Sequence, residues 1–222
     1  MAPKSTPNRA KPKGTLAFTR KLLAWYARAA RDLPWRRTRD PYHIVVSEFM
    51  LQQTQVSRVS EYYPRFLERF PTVYDLARAK PKAVREAWDG LGYYARASNL
   101  HALAKQVSAV GGQLSDDPEE LVNLPGVGRY TAGAVACFAY EKPVPAVDTN
   151  VKRVLERVFR TKDVWGLATA IVPKTGKRAW RFNQALMELG ALVCVARSPK
   201  CPECPVRSNC RTYTARRTDA PR

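Results

Sequence analysis

Apolar side chains recur along this chain mostly at helical spacing. Leu16, Leu22, Leu23 and Tyr26 predict an amphipathic helix from Thr15 to about Arg31, closed by Leu33-Pro34-Trp35-Arg36. Pro41 opens a second helix carrying Val45, Val46, Phe49 and Met50, and a third runs from Ser57 to Phe70, where Pro71 stops it. Thr72 to Ala79 and Pro81 to Trp88 read as two short helices, the latter with proline in its first turn. Gly90-Leu91-Gly92 reads as a loop and Tyr93 to Val110 as a helix ended by Gly111-Gly112. Asp116-Asp117-Pro118 opens the next helix. No segment alternates convincingly at period two, so the predicted fold is all-α, with many short helices and no internal repeat.

The stretch LPGVGRYTAGAVACFAYEKPVPAVDTN, Leu124 to Asn150, is the densest in chemistry. It opens with the tight turn Gly126-Val127-Gly128, enters a small-residue helix, breaks at Pro143 and Pro145, and ends on Asp148. VKRVLERVF follows, with Val151, Val154, Leu155 and Val158 at helical spacing, so Asp148 falls at an N-cap position. Glycine lets backbone amides come close to an oxyanion, and the dipole of the following helix favours one. A candidate phosphate anchor therefore stands one helix away from a candidate catalytic carboxylate. Beyond it the pattern predicts a helix to about Phe159, irregular chain through Gly176, and a long helix from about Lys177 to Cys194.

Charge adds a partner to this outline. Lys and Arg number 38 against 19 acidic residues in a chain of 222, a formal charge of +19, while 45% hydrophobic residues suffice for a core. Cationic side chains mixed with wedge-capable aromatics and a phosphate-binding turn point to nucleic acid. No apolar run approaches membrane-spanning length and the N-terminus has no signal-type core. The expectation is an intracellular, cytoplasmic and nucleoid-associated monomer with no membrane partner. Residues 1–13 and 214–222 read as basic tails, the first of them disordered.

Four of the five cysteines lie together: Cys194-VARSPK-Cys201-PE-Cys204-PVRSN-Cys210, a spacing of six, two and five. A structural zinc site usually shows two close Cys/His pairs. Here a single C-x-x-C occurs, and His43 and His101 are remote in sequence. Four closely strung thiolates fit a [4Fe–4S] cluster better. Cys137, among Ala and Val, is a small core residue. Arg197, Lys200, Arg207 and Arg211 surround the cysteines, which suits a DNA-contacting loop more than an electron carrier.

With these cysteines, five stretches in order carry a resemblance: LPWRRTRDPYHIVVSEFMLQQTQV, GLGYYARASNLH, LPGVGRYTAGAV, VDTNVKRVLERV and RFNQALMELGALVC. From roughly Leu16 to Tyr213 the chain resembles the helix-hairpin-helix (HhH-GPD) DNA glycosylase superfamily, and its cysteine spacing matches the endonuclease III branch. Within that branch it looks most like the adenine DNA glycosylases of the MutY type. The resemblance implies a six-helix barrel lobe at 32–142 and an iron–sulfur cluster lobe made of 14–31 plus 143–213, with DNA crossing the groove between them.

It also implies roles. The enzyme would be a monofunctional base excision repair glycosylase acting on double-stranded DNA with a mismatched or damaged base pair. It would release adenine mispaired with 8-oxoguanine or guanine after flipping the nucleotide out of the stack. Glu48 would be the general acid that protonates the departing base, with Phe49, Met50 and Leu51 giving it partial burial, which favours a protonated carboxyl. Asp148 would stay ionised and stabilise the oxocarbenium-like sugar. Bifunctional relatives carry a Schiff-base lysine where this chain has Tyr130, so strand nicking is not expected. Tyr130 would hydrogen-bond near the catalytic carboxylates. Gly126, Val127, Gly128 and Arg129 would hold the DNA backbone. Gln53 and Tyr93 would wedge into the duplex, with Gln52 as a further groove contact. Trp35, Arg36, Leu51 and Gln184 would line the base pocket.

Two features depart from the family pattern. These enzymes usually have glycine after the aspartate, whereas here Thr149 stands there, a threonine as in endonuclease III. The chain also stops soon after Cys210, so the expectation is a chain without the C-terminal domain that reads 8-oxoguanine. Two other readings stay open: a mismatch glycosylase for thymine, uracil or another deaminated base, and a non-catalytic iron–sulfur DNA-binding protein. The LQQTQV stretch favours adenine, and the joint presence of Glu48 and Asp148 speaks against a non-catalytic role.

Overall fold

The computed structural model describes residues 11–218. The tail expected at 1–13 therefore lies almost wholly outside the described residues. Among the described residues twelve α-helices run in order: α1 Thr15–Ala29, α2 Pro41–Leu51, α3 Val56–Arg69, α4 Val73–Arg78, α5 Pro81–Ala87, α6 Ala95–Ala109, α7 Pro118–Leu121, α8 Arg129–Tyr140, α9 Thr149–Phe159, α10 Val164–Ile171, α11 Gly176–Leu192 and α12 Arg211–Thr218. There is no strand among the described residues. The chain divides into two compact units. Asp32–Tyr140 forms one, and the residues up to Arg31 together with those from Glu141 onward form the other.

The Asp32–Tyr140 unit is built round α2. Every side chain from Ile44 to Met50 is buried, so this helix is covered on all sides and packs against α3, α6 and α8. Asp40 caps it, accepting from the His43 amide at 3.0 Å, and Pro41 supplies the pre-formed first turn. Its partner α8 buries Thr131 through Phe138, mostly small residues, which allows the two helix backbones to come close. Cys137 is buried in that helix as a core residue. A reciprocal Thr72–Asp75 capping box starts α4, which packs on α6.

In the other unit α9 is the hub, packing against α10, α11 and α12, and α1 lies on α11. Phe18 of α1 sets its ring edge-on to Phe159 at 5.2 Å and Phe182 at 6.4 Å. Arg31, just past α1, makes a two-pronged contact to the fully buried Glu188 of α11.

Three expectations need correction here. The buried stripe of α1 is Thr15, Phe18, Thr19, Leu22 and Tyr26, whereas Leu16 is 81% exposed. A stripe that begins at Thr15 and Phe18 rotates Leu16 to the outside. The segment expected to be irregular through Gly176 contains α10, capped by Asp163 and burying Val164, Leu167, Ala168 and Ile171. The basic tail expected from 214 is helical to Thr218, as the second half of α12.

Candidate active site and cysteine cage

Glu48 sits in the last turn of α2 and is 4% exposed. Tyr130, in the first turn of α8, donates its phenol proton to Glu48 Oε2 at 2.7 Å. The sequence places these side chains 82 positions apart; the close packing of α2 on α8 brings them together. The turn before α8 explains how. Gly126 has φ 75°, and a Cβ there would stand 2.8 Å from both the Phe49 ring and the Asn99 Cβ. Glycine thus lets the hairpin lie directly on the residue after Glu48. Val127 is buried beneath it, while Gly126, Gly128 and Arg129 are exposed. Gly128 precedes α8 and accepts the first intrahelical bond, from the Ala132 amide at 2.9 Å.

Gln53 and Tyr93 belong to the same unit and share a backbone peculiarity. Gln53 has φ 57° and Tyr93 φ 46°, left-handed conformations that non-glycine residues rarely take. Both side chains are exposed, Tyr93 at 64%. Gln52 is half-buried. Trp35 is 8% exposed and meets the Tyr63 ring edge-on at 5.7 Å, so it is packed as a core residue, with Arg36 and Leu51 half-buried. Gln184, also assigned to the base pocket, is a buried residue of α11 in the other unit.

Asp148 caps α9, accepting from the Val151 amide at 2.6 Å and from Asn150 Nδ2 at 3.1 Å. Burial pushes its carboxyl above the usual range. The amide bonds, Asn150 and the nearby Arg153 charge oppose that push without cancelling it. The approach to Asp148 is also held. Buried Asn183 accepts from the Ala146 amide at 3.0 Å and donates to the Val144 carbonyl at 3.0 Å. Arg153 donates to Asn150 Oδ1 at 2.6 Å, to the Gly190 carbonyl at 2.8 Å and to the Cys194 carbonyl at 2.8 Å. Sequence reasoning missed Asn150, Arg153 and Asn183. All three lay inside quoted motifs, yet their bonds go to backbone or neighbours that no spacing rule identifies.

Cys194, Cys201, Cys204 and Cys210 line one cavity, whose other walls include Val158, Leu189, Val193 and Val206. Burial pushes the Cys204 thiol up to about 11, and the three other cysteines push it further in the same direction. Such thiols become thiolates only when a metal replaces their protons. Arg157 donates to Cys194 Sγ at 3.5 Å, a charge-assisted contact suited to a metal-bound sulfur. Among the described residues no three His, Cys, Asp or Glu side chains gather tightly enough for a single metal ion. Four thiols lining one largely apolar cavity suit a cluster held by one thiolate per iron.

Residues 46–171, more than half the chain, match the model of the HhH-GPD superfamily of base excision DNA repair proteins, and residues 194–210 match the iron–sulfur binding domain of endonuclease III. The chain belongs to the HhH-GPD superfamily of base excision DNA repair proteins, and it carries the [4Fe–4S] binding motif of endonuclease III. Among relatives, it is 48% identical to the adenine DNA glycosylase of Mycolicibacterium smegmatis, over 87% of this chain and 69% of that protein. It is 45% identical to the adenine DNA glycosylase of Rattus norvegicus, over 89% of this chain but 42% of the rat protein, so it spans less than half of that relative's length. Among solved structures, a thermostable thymine-DNA glycosylase superposes with a TM-score of 0.85 at 32% identity, covering 91% of this chain and 98% of that one.

Proposed function

We propose that the chain is a monofunctional adenine DNA glycosylase, which hydrolyses the N-glycosidic bond of adenine mispaired with 8-oxoguanine or guanine in double-stranded DNA. The observation that carries this reading is the buried carboxyl of Glu48 held by the Tyr130 phenol. In this reading Glu48, buried and with Oε2 accepting from Tyr130, is protonated before the base leaves, and that proton passes to the leaving adenine ring. After the base departs, the carboxylate of Glu48 orients water. Asp148, ionised and capping α9, stabilises the cationic sugar. The cationic surface and the Gly126–Gly128 amides hold the phosphate backbone, and the enzyme acts in the nucleoid as a monomer. When bound, the cluster ties Cys194, Cys201, Cys204 and Cys210 into a fixed loop.

Tyr130 stands where a Schiff-base lysine would make the enzyme a lyase, and a phenol cannot form that adduct. Higher identity to the adenine enzymes than to the thymine enzyme favours adenine as the target. The test is a panel of duplexes containing A:8-oxoG, A:G, T:G, U:G or I:T, incubated with the protein and split with or without alkali. The adenine strand should break, and only after alkali. Breakage of the thymine strand would establish the mismatch-thymine reading instead, and breakage without alkali would refute the monofunctional assignment. Tyr130→Lys should introduce alkali-independent nicking and borohydride-trappable adducts.

A further inference from the structure

Arg96, in the first turn of α6, is 7% exposed, and no carboxylate pairs with it among the described residues. Its guanidinium is spent on backbone carbonyls. Nη1 donates to Phe49 at 3.0 Å, to Met50 at 2.8 Å and to Gln52. Nη2 donates to Leu91 at 2.9 Å and Gly92 at 3.0 Å. Its Cζ lies over the Trp88 ring, 5.5 Å from the centroid, and over the Tyr93 ring, 5.7 Å from the centroid. Phe49 and Met50 belong to the last turn of α2, whose carbonyls lack helical partners and where a cation complements the helix dipole. That same turn carries Glu48.

The other contacts end at two special residues. The Gln52 carbonyl precedes Gln53, and the Leu91 and Gly92 carbonyls precede Tyr93. In the Asp32–Tyr140 unit these are the non-glycine residues with positive φ, and both are exposed. Left-handed conformations at such residues are strained, and they persist where the surroundings over-determine them. Burying a guanidinium adds a further cost, since desolvation opposes its charge. Core packing alone would need neither expense.

We propose that Arg96 is a positioning residue. It locks the Gln53 turn, the Tyr93 turn and the Glu48 end of α2 into one arrangement, so that the two wedges enter the duplex together while the acid is already aimed. Arg96 touches no DNA itself. The fork geometry is essential: five carbonyls in two directions exceed what the three donors of a lysine ammonium reach. This inference rests on the proposed role of Gln53 and Tyr93 as wedges.

The test follows base extrusion with 2-aminopurine placed at the target position of a duplex, alongside single-turnover adenine release. Arg96→Lys should keep the visible absorbance of the cluster and the affinity for undamaged duplex. Extrusion and adenine release should both fall, on the order of tenfold to a hundredfold, as expected when reacting groups are misplaced by about an ångström. In a background carrying both Gln53→Ala and Tyr93→Ala the same substitution should add little to the loss of extrusion, because Arg96 acts on extrusion through the two wedges. A folded Arg96→Lys chain that extrudes the base normally, or effects that simply multiply, would overturn the proposal. If Gln53→Ala and Tyr93→Ala each extrude the base normally, the wedge reading itself fails, which is a separate result. Should Arg96→Lys not fold, native-state hydrogen exchange of the unaltered chain decides. The hydrogen-bonded amides of Thr54 and Leu91 should open with one free energy, and independent opening would contradict a shared clamp.

Discussion

Asp148 holds its position at a cost to the fold. Burial raises its carboxyl pKa, so the ionised form is less favourable in the folded chain than in the unfolded one. For a group shifted upward, the stabilising effect is present below the ordinary carboxylate range and is lost as pH rises through the raised folded value. At neutral pH an ionised Asp148 therefore subtracts stability. Asn accepts the same capping bond without the charge. Asp148→Asn should melt at a higher temperature at pH 7, with the advantage gone in strongly acidic buffer, while adenine release falls on the order of 10²–10³-fold. The acid limb of the pH–rate profile should lie above the ordinary aspartate range, because protonating Asp148 removes the anion the sugar cation needs. Tyr130→Phe removes the proton donated to Glu48 and should slow release roughly tenfold, about 1.4 kcal/mol, with duplex affinity retained. Single-turnover rates check both. Glu48, Tyr130 and Asp148 each lie in a distinctive motif, so roles for them can be proposed from the chain alone. For Arg96 and Arg153 they cannot, since their partners are mainly backbone carbonyls, which every residue has.

Among the elements, α2 shows how a helix can be readable in extent and unreadable in role. Pro41 and the apolar run gave its start and course, but a helix buried on all sides carries no stripe to say which neighbours it meets. Its pairing with α8 depends on small side chains and on Gly126, whose left-handed turn lays the hairpin on Phe49. Gly126→Ala should therefore destabilise the fold by about 1–3 kcal/mol in urea titration and weaken binding to undamaged duplex; unchanged stability would show that the hairpin has room to give. In α10 the apolar positions 164, 167, 168 and 171 did follow the helical rule, and Asp163 did supply a cap. Gly166 and the neighbouring Lys and Thr residues give the same stretch the composition of a loop. Leu16 misleads in the opposite way: it is an apolar residue that lies beside the buried stripe and outside it.

For the whole chain, the excess of 38 basic over 19 acidic residues sets binding before any base is read. Affinity for undamaged duplex should fall linearly in log–log form with salt, by about 0.9 for each phosphate neutralised, and an affinity indifferent to salt would contradict an electrostatic anchor. The resemblance implies a lobe boundary at 142–143, and the structure divides the chain at Tyr140–Glu141; what joins α9, α11 and the cysteine loop inside one unit is visible only through Arg153 and Arg157. The central claim is that a buried acid, oriented by a phenol, releases adenine. It is tested most directly by single-turnover adenine release from an A:8-oxoG duplex with Glu48→Gln, a change that keeps the side chain's size and its acceptor for Tyr130 but removes the proton. The expected result is intact cluster absorbance, undiminished duplex affinity and a rate lower by on the order of 10²–10⁴-fold. Adenine release at the unaltered rate would contradict it.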